Sequence, residues 1–276
     1  MDKNIKFNKK LWIGLGILVL VILLIFIGCQ AFGPKQPVET VPPTTEPQET
    51  TLPPETQPTE PEEVPLVMLD WMKEWYERNN AMAGWLRIEG TKIDYPVIHT
   101  PEDHDKYLRK DIDDNFSMDG TLFIDGQCSI LPESDNIVIY GHNMKKGTMF
   151  HDLMKYAKKD FWQEHPIIEY TTLYEEREYE IIAAFYDRVY YTHENVFKFY
   201  QFIDYETEEE FANAVENYKA KAEYDTGVEP VFGDRLLTLV TCSYHEENGR
   251  FVVVARQITD ETAPQETAPV ETTPAA

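Results

Sequence analysis

RLLTLVTC, residues 235–242, is the stretch from which the rest of the chain can be read. Arg235 to Thr241 is apolar, β-branched or Thr-rich and holds no Gly or Pro, the composition of a strand. Cys242 stands where that strand runs out into a polar loop, Ser243 to Gly249. A strand end holds a thiol rigidly, while the loop leaves it open on one side. On spacing alone two readings compete. Cys242 is a buried core cysteine, the commonest fate of a free thiol, or it is a nucleophile.

Its neighbours weigh on the choice, because a thiol becomes an effective nucleophile beside a base or a cation. Asn136 to Tyr140 (NIVIY) is a second apolar strand, and it ends in Gly141-His142-Asn143. His142 therefore also stands at a strand end, next to a glycine that permits close backbone approach. A third strand, Phe251 to Ala255 (FVVVA), is entered through Arg250 and left through Arg256. The short loop before it implies an antiparallel hairpin with the Cys242 strand, which puts Arg250 near the thiol. Arg256, six residues further on, falls about 20 Å away at strand rise. The rival base is His245, in the polar loop HEEN, where a solvated surface histidine is the plainer reading.

TLVTC with its downstream arginine and YGHNM (140–144) upstream resembles the sortases, cysteine transpeptidases of Gram-positive surfaces. GWLRIEGTKIDYPVI (84–98), DGTLFID (119–125) and YGHNMKKGTMF (140–150) resemble class B in particular. The resemblance spans about residues 67–258. It implies a closed, mixed, eight-stranded barrel with His142 as general acid and base, Cys242 as nucleophile and Arg250 as oxyanion and substrate stabiliser. Two positions depart from the pattern. His99 stands where a Gln often follows the YPV motif, and Val240 where a Ser often precedes Thr-Cys. The implied partners are surface proteins bearing a C-terminal sorting signal and a peptidoglycan precursor or stem-peptide amine. Tyr140, Asn143 and Thr241 are candidate substrate contacts, with packing as the alternative for each. A plain cysteine peptidase using water, a pilin-polymerising enzyme and a non-catalytic surface module that keeps the fold are the other readings.

The chain has 276 residues and a formal charge of −24. So acidic a chain is a poor match for nucleic acid. Three cysteines make no paired framework. No CxxC or HExxH occurs, so neither a metal nor another cofactor is expected.

Residues 1–10 are basic, and 11–28 form an unbroken apolar run, long enough to span a bilayer. The lysines before it favour a cytoplasmic N-terminus and an extracellular remainder, in a single-pass cell-membrane arrangement. A retained anchor is the reading taken. Cleavage lacks a clean small-x-small site, and lipidation at Cys29 has Gly28 before it but a poorly fitting Phe26. Residues 29–66 hold a stalk rich in Pro, Thr and Glu, too poor in large apolar residues to form a core. The tail, 259–276, repeats that composition.

Between them lies a mainly β domain with an N-terminal helix, Val67–Arg78, carrying a Glu74–Arg78 i,i+4 pair. Strands are expected at Trp85–Ile88, Lys92–Val97, Thr121–Asp125, Asn136–Tyr140, Ile167–Thr171, Tyr179–Val189, Arg235–Thr241 and Arg250–Ile258. Helices are expected at Thr148–Gln163 and, behind a Thr207–Glu210 capping box, at Thr207–Glu223. Closing the sheet into a barrel removes exposed edges.

Overall fold

The computed structural model describes residues 66–259. The apolar run, the stalk up to 65 and the tail beyond 259 lie outside them. Among the described residues no helix is long and apolar enough to cross a membrane.

Eight strands close into one barrel: β1 (Met82–Arg87), β2 (Asp94–Ile98), β3 (Leu122–Ile124), β4 (Asn136–Gly141), β5 (Ile167–Thr172), β6 (Glu176–Arg188), β7 (Leu236–Cys242) and β8 (Gly249–Gln257). Their order around the barrel is β1-β2-β3-β4-β7-β8-β6-β5, closed by β5 against β1. β2–β3 and β4–β7 run parallel and the other pairs antiparallel, so the barrel is mixed as expected. Each parallel pair needs a long crossover. The β2–β3 crossover carries two short 3-10 turns, Pro101–Asp103 and Lys106–Arg109. The β6–β7 connection carries α3 (Glu208–Lys221), the longest helix among the described residues. It packs on β6 through Phe185, whose ring meets Phe199 at 6.4 Å and Tyr218 at 6.0 Å.

α1 (Asp70–Arg78) starts three residues later than expected. Leu69 donates its N–H to the Leu173 carbonyl at 2.9 Å, and that tie to the barrel holds the preceding chain out of the helix. α1 lies over a smaller core that includes Met72, Met82, Ile98, Tyr107 and Phe123. Arg78 turns away from Glu74 and grips Asp113, both carboxylate oxygens at 2.5 Å. A planar guanidinium gains more from a two-point carboxylate contact than from a single i,i+4 neighbour.

The helix expected over Thr148–Gln163 is two pieces. Phe150–Ala157 winds as 3-10, and α2 (Lys159–Glu164) follows a break at Lys158, whose backbone is extended. Phe150, Leu153 and Tyr156 are fully buried at a strict spacing of three, which a 3-10 turn aligns on one face. Asp152 accepts from the Lys92 N–H at 3.0 Å and fixes the winding from the side. At α3 the Thr207 hydroxyl accepts from the Glu210 N–H at 3.2 Å, as a cap should. The return bond reaches one residue further back than expected, from the Glu206 N–H to Glu210 at 3.0 Å.

Candidate active site

The site is built by register. In the parallel ladder Gly141 of β4 stands opposite Thr241 of β7. His142 and Cys242 are the next residues on each strand and leave the barrel at the same end. The Thr241 hydroxyl donates to the Gly141 carbonyl at 2.7 Å and locks that register. A side chain at 141 would have no room: its Cβ would fall 2.5 Å from Leu122 Cδ2 and 2.6 Å from Phe150 Cδ2. On the other flank Cys242 pairs directly with Arg250 of β8. The three residues that the sequence pattern singled out thus line one cleft of about 340 Å³, together with Leu108, Phe123, Tyr140 and Thr241. Val189, Phe199 and Tyr200 from the β6–β7 connection complete its wall.

His142 Nε2 lies 2.8 Å from the Leu108 carbonyl oxygen. A carbonyl only accepts, so Nε2 carries a proton, and the lone pair of the neutral ring is on Nδ1. The nitrogen that can take and return a proton is therefore Nδ1. The β2–β3 crossover delivers this carbonyl, and Gly120 makes room for it. A Cβ at Gly120 (φ 63°) would fall 2.6 Å from the Leu108 oxygen. His142 is also held through its main chain, whose carbonyl accepts from the Phe150 N–H at 2.9 Å.

Arg250 is oriented by main-chain carbonyls, and no carboxylate among the described residues forms a salt bridge with it. Its Nη1 donates to the Asn248 and Gly249 carbonyls at 3.2 and 3.0 Å. Asp187 stands opposite it on β6, but that carboxylate is taken by Lys221 (2.7 Å) and the Tyr190 hydroxyl (2.6 Å). Arg256 lies at the far end of β8, opposite Leu236, and belongs to Glu180 (2.7 Å) and Asp234 (3.4 Å).

The remaining candidates separate. Tyr140 lines the cleft, but its hydroxyl donates to Asp125 at 3.1 Å and burial raises its pKa, so it stays a neutral wall. Thr241 is buried with its hydroxyl committed to Gly141. Asn143 does not line the cleft; its Nδ2 donates to the Cys242 carbonyl at 3.0 Å. His245 is spent in its own loop, between Ser243 Oγ (2.9 Å) and Glu246 (3.1 Å), so it is no rival to His142. His99 borders another cavity, beneath α1, where burial lowers its pKa. Among the described residues no group of three His, Cys, Asp or Glu is placed to hold a metal ion. Sequence reasoning missed the Leu108 carbonyl, a main-chain group with no residue signature beyond the facing Gly120. It also missed the Asp187–Lys221–Tyr190 cluster.

The two described thiols are free and unlike. Cys242 is half-buried at the cleft. Cys128 is buried, its Sγ 3.5 Å from both the Asn136 carbonyl and the Val138 N–H, and burial pushes its pKa up to about 12. It stays a thiol through the neutral range. Of these two thiols iodoacetamide is expected to label only Cys242 under native conditions, and Cys128→Ser to leave turnover unchanged. Mass mapping checks this, and preferential labelling of Cys128 would refute it.

Residues 86–258 match the family model described as the sortase domain. Sortase B of Listeria monocytogenes is 34% identical over 194 residues, covering 69% of this chain and 75% of the relative. Sortase B of Staphylococcus aureus is 30% identical over 182 residues, covering 65% and 71%. A solved Staphylococcus aureus sortase B–substrate complex superposes with a TM-score of 0.60 at 27% identity, covering 68% of this chain and 84% of that one. The chain belongs to the sortase family. Within the family it is of class B, a cysteine transpeptidase that anchors surface proteins.

Proposed function

We propose that Cys242 is the nucleophile, His142 the general acid and base, and Arg250 the charge stabiliser of this transpeptidase. One observation carries the assignment: His142, 100 residues before Cys242, shares one strand-end cleft with the Cys242–Arg250 pair of the β7–β8 hairpin, so the thiol is flanked by an imidazole and a guanidinium. The Cys242 thiol passes its proton to His142 Nδ1, and the resulting thiolate attacks the carbonyl carbon of the scissile peptide bond in a sorting signal. Arg250 stabilises the oxyanion of the tetrahedral intermediate. The C–N bond breaks as His142 gives its Nδ1 proton to the leaving amine, and a thioester remains. An amine then attacks the thioester, His142 takes its proton, and the C–S bond breaks to return the thiolate. The acceptor is a peptidoglycan amine, from a precursor or a stem peptide. The basic segment and apolar run at 1–28 support an N-terminal membrane anchor with the catalytic domain, 67–258, outside the cell.

The test is incubation of the ectodomain with a library of sorting-signal peptides, followed by intact-mass and peptide mapping. An acyl adduct on Cys242 is expected. On adding short peptide amines, the acyl–amine product should grow at the expense of the free acid. An adduct elsewhere would overturn the nucleophile assignment. A product that stays the free acid whatever amine is added would favour a peptidase acting with water.

A further inference from the structure

We propose that Asn143 and His151 form a positioning pair that fixes the nucleophile relative to the base. The inference rests on the assignment of Cys242 and His142 above. β4 ends at Gly141, one residue short of the register that would continue the ladder past Cys242. The chain instead bends back after His142, with Asn143 bridging to Met149 and the Phe150 N–H donating to the His142 carbonyl. The main chain of β4 therefore does not continue alongside the Cys242 carbonyl. The Asn143 carboxamide meets that carbonyl instead, with Nδ2 at 3.0 Å. Asn143 is also the residue next to the base. One side chain thus ties the main chain of the acid–base residue to that of the nucleophile.

The direction of the amide follows from donor chemistry. The Cys242 carbonyl only accepts, so Nδ2 must face it and Oδ1 must face away. Oδ1 lies 2.9 Å from His151 Nδ1, and that contact is a hydrogen bond only if Nδ1 carries the proton. The neutral Nδ1–H tautomer and the imidazolium both meet this demand. The clamp therefore holds in the charged ring and in the neutral Nδ1–H tautomer, and it selects that tautomer over the Nε2–H form. His151 is half-buried on the Phe150–Ala157 turn, whose first residue also fixes the His142 carbonyl. Turn, base and nucleophile are linked through hydrogen bonds that never touch the substrate.

A group that positions reacting atoms acts on kcat, and a misplacement of about 1 Å costs on the order of 10²-fold. Asn143→Ala and His151→Phe are both expected to lower kcat by roughly that factor, with KM changed less than about twofold. His151→Gln keeps an N–H donor for Oδ1 and is expected to restore most of the rate. Asn143→Asp sets a carboxylate against the Cys242 carbonyl beside the thiol. It should lower kcat further and move the pH midpoint of Cys242 alkylation upward. Kinetics on a sorting peptide, alkylation pH profiles and melting curves are read on the same proteins. A wild-type rate in folded Asn143→Ala, a loss confined to KM, or equal rates for His151→Gln and His151→Phe overturns the pair. If wild-type enzyme forms its acyl adduct away from Cys242, the parent assignment falls instead.

Discussion

Cys242→Ala is expected to show no turnover, and His142→Ala and Arg250→Ala to lose at least about 10³-fold in kcat/KM with melting temperatures near wild type. All three side chains meet only in the cleft, and none is fully buried. Removing any of them leaves the barrel's packing intact and deletes one step of the chemistry. Arg256→Ala should behave in the opposite way. The sequence spacing, which sets Arg256 about 20 Å from the thiol, gives it no part in turnover. The structure instead pairs Arg256 with Glu180, with side chains only 14% and 15% exposed. Truncating one partner of such a pair leaves the other charge poorly solvated and costs about 3 kcal/mol. The expected outcome is a lowered melting temperature with kcat/KM of the folded fraction nearly unchanged. Steady-state kinetics beside thermal melting decide it. A catalytic loss for Arg256→Ala as large as that for Arg250→Ala, with folding intact, would show that the wrong arginine has been placed at the thiol.

Gly141→Ala is the second large effect expected, and here stability and rate should fall together. The added methyl meets Leu122 at 2.5 Å and the Phe150 ring at 2.6 Å, and both neighbours are fully buried. They have nowhere to go, and overpacking of this kind costs about 1–3 kcal/mol. What moves is the backbone, and the next residue along it is His142. A loss of roughly 10²-fold in kcat should accompany a drop of several degrees in melting temperature. Gly227→Ala is the control. Gly227 also sits in a restricted conformation, with φ of 74°, but nothing lies within 4 Å of a Cβ there. It should cost stability alone. Full activity in Gly141→Ala would mean that the base tolerates displacement.

The strands were legible because apolar, β-branched runs are their local signature. Each expected strand is found within three residues of its stated ends. The meeting of His142, Cys242 and Arg250 in one cleft was legible because strand ends and a tight hairpin convert spacing directly into position. Non-local decisions were not legible. Arg78 chose Asp113, 35 residues away, over Glu74. The helix over Thr148–Gln163 broke because a buried face at spacing three suits a 3-10 turn, and its apolar residues fit both windings. Cys128 sits in a loop folded inward against β4, a burial that its neighbours Gly126, Gln127 and Ser129 do not signal. The Leu108 carbonyl could not be read at all, because main-chain groups are alike in every residue. Asn143 was read as a substrate contact because its motif neighbours are functional. Its amide faces the enzyme's own backbone.

The parallel pairing of β4 with β7 decides at what moment the molecule becomes reactive. His142 follows the end of the fourth strand and Cys242 ends the seventh, with the paired Gly141 and Thr241 100 residues apart in sequence. β7 must slot between β4 and β8 before Cys242 has a proton partner on one side and a cation on the other. Joining segments so distant along the chain is slow, because the intervening loop must lose its freedom first. Until that insertion, Cys242 and His142 lie on segments that do not meet. Completing the sheet and assembling the cleft are in this way one event.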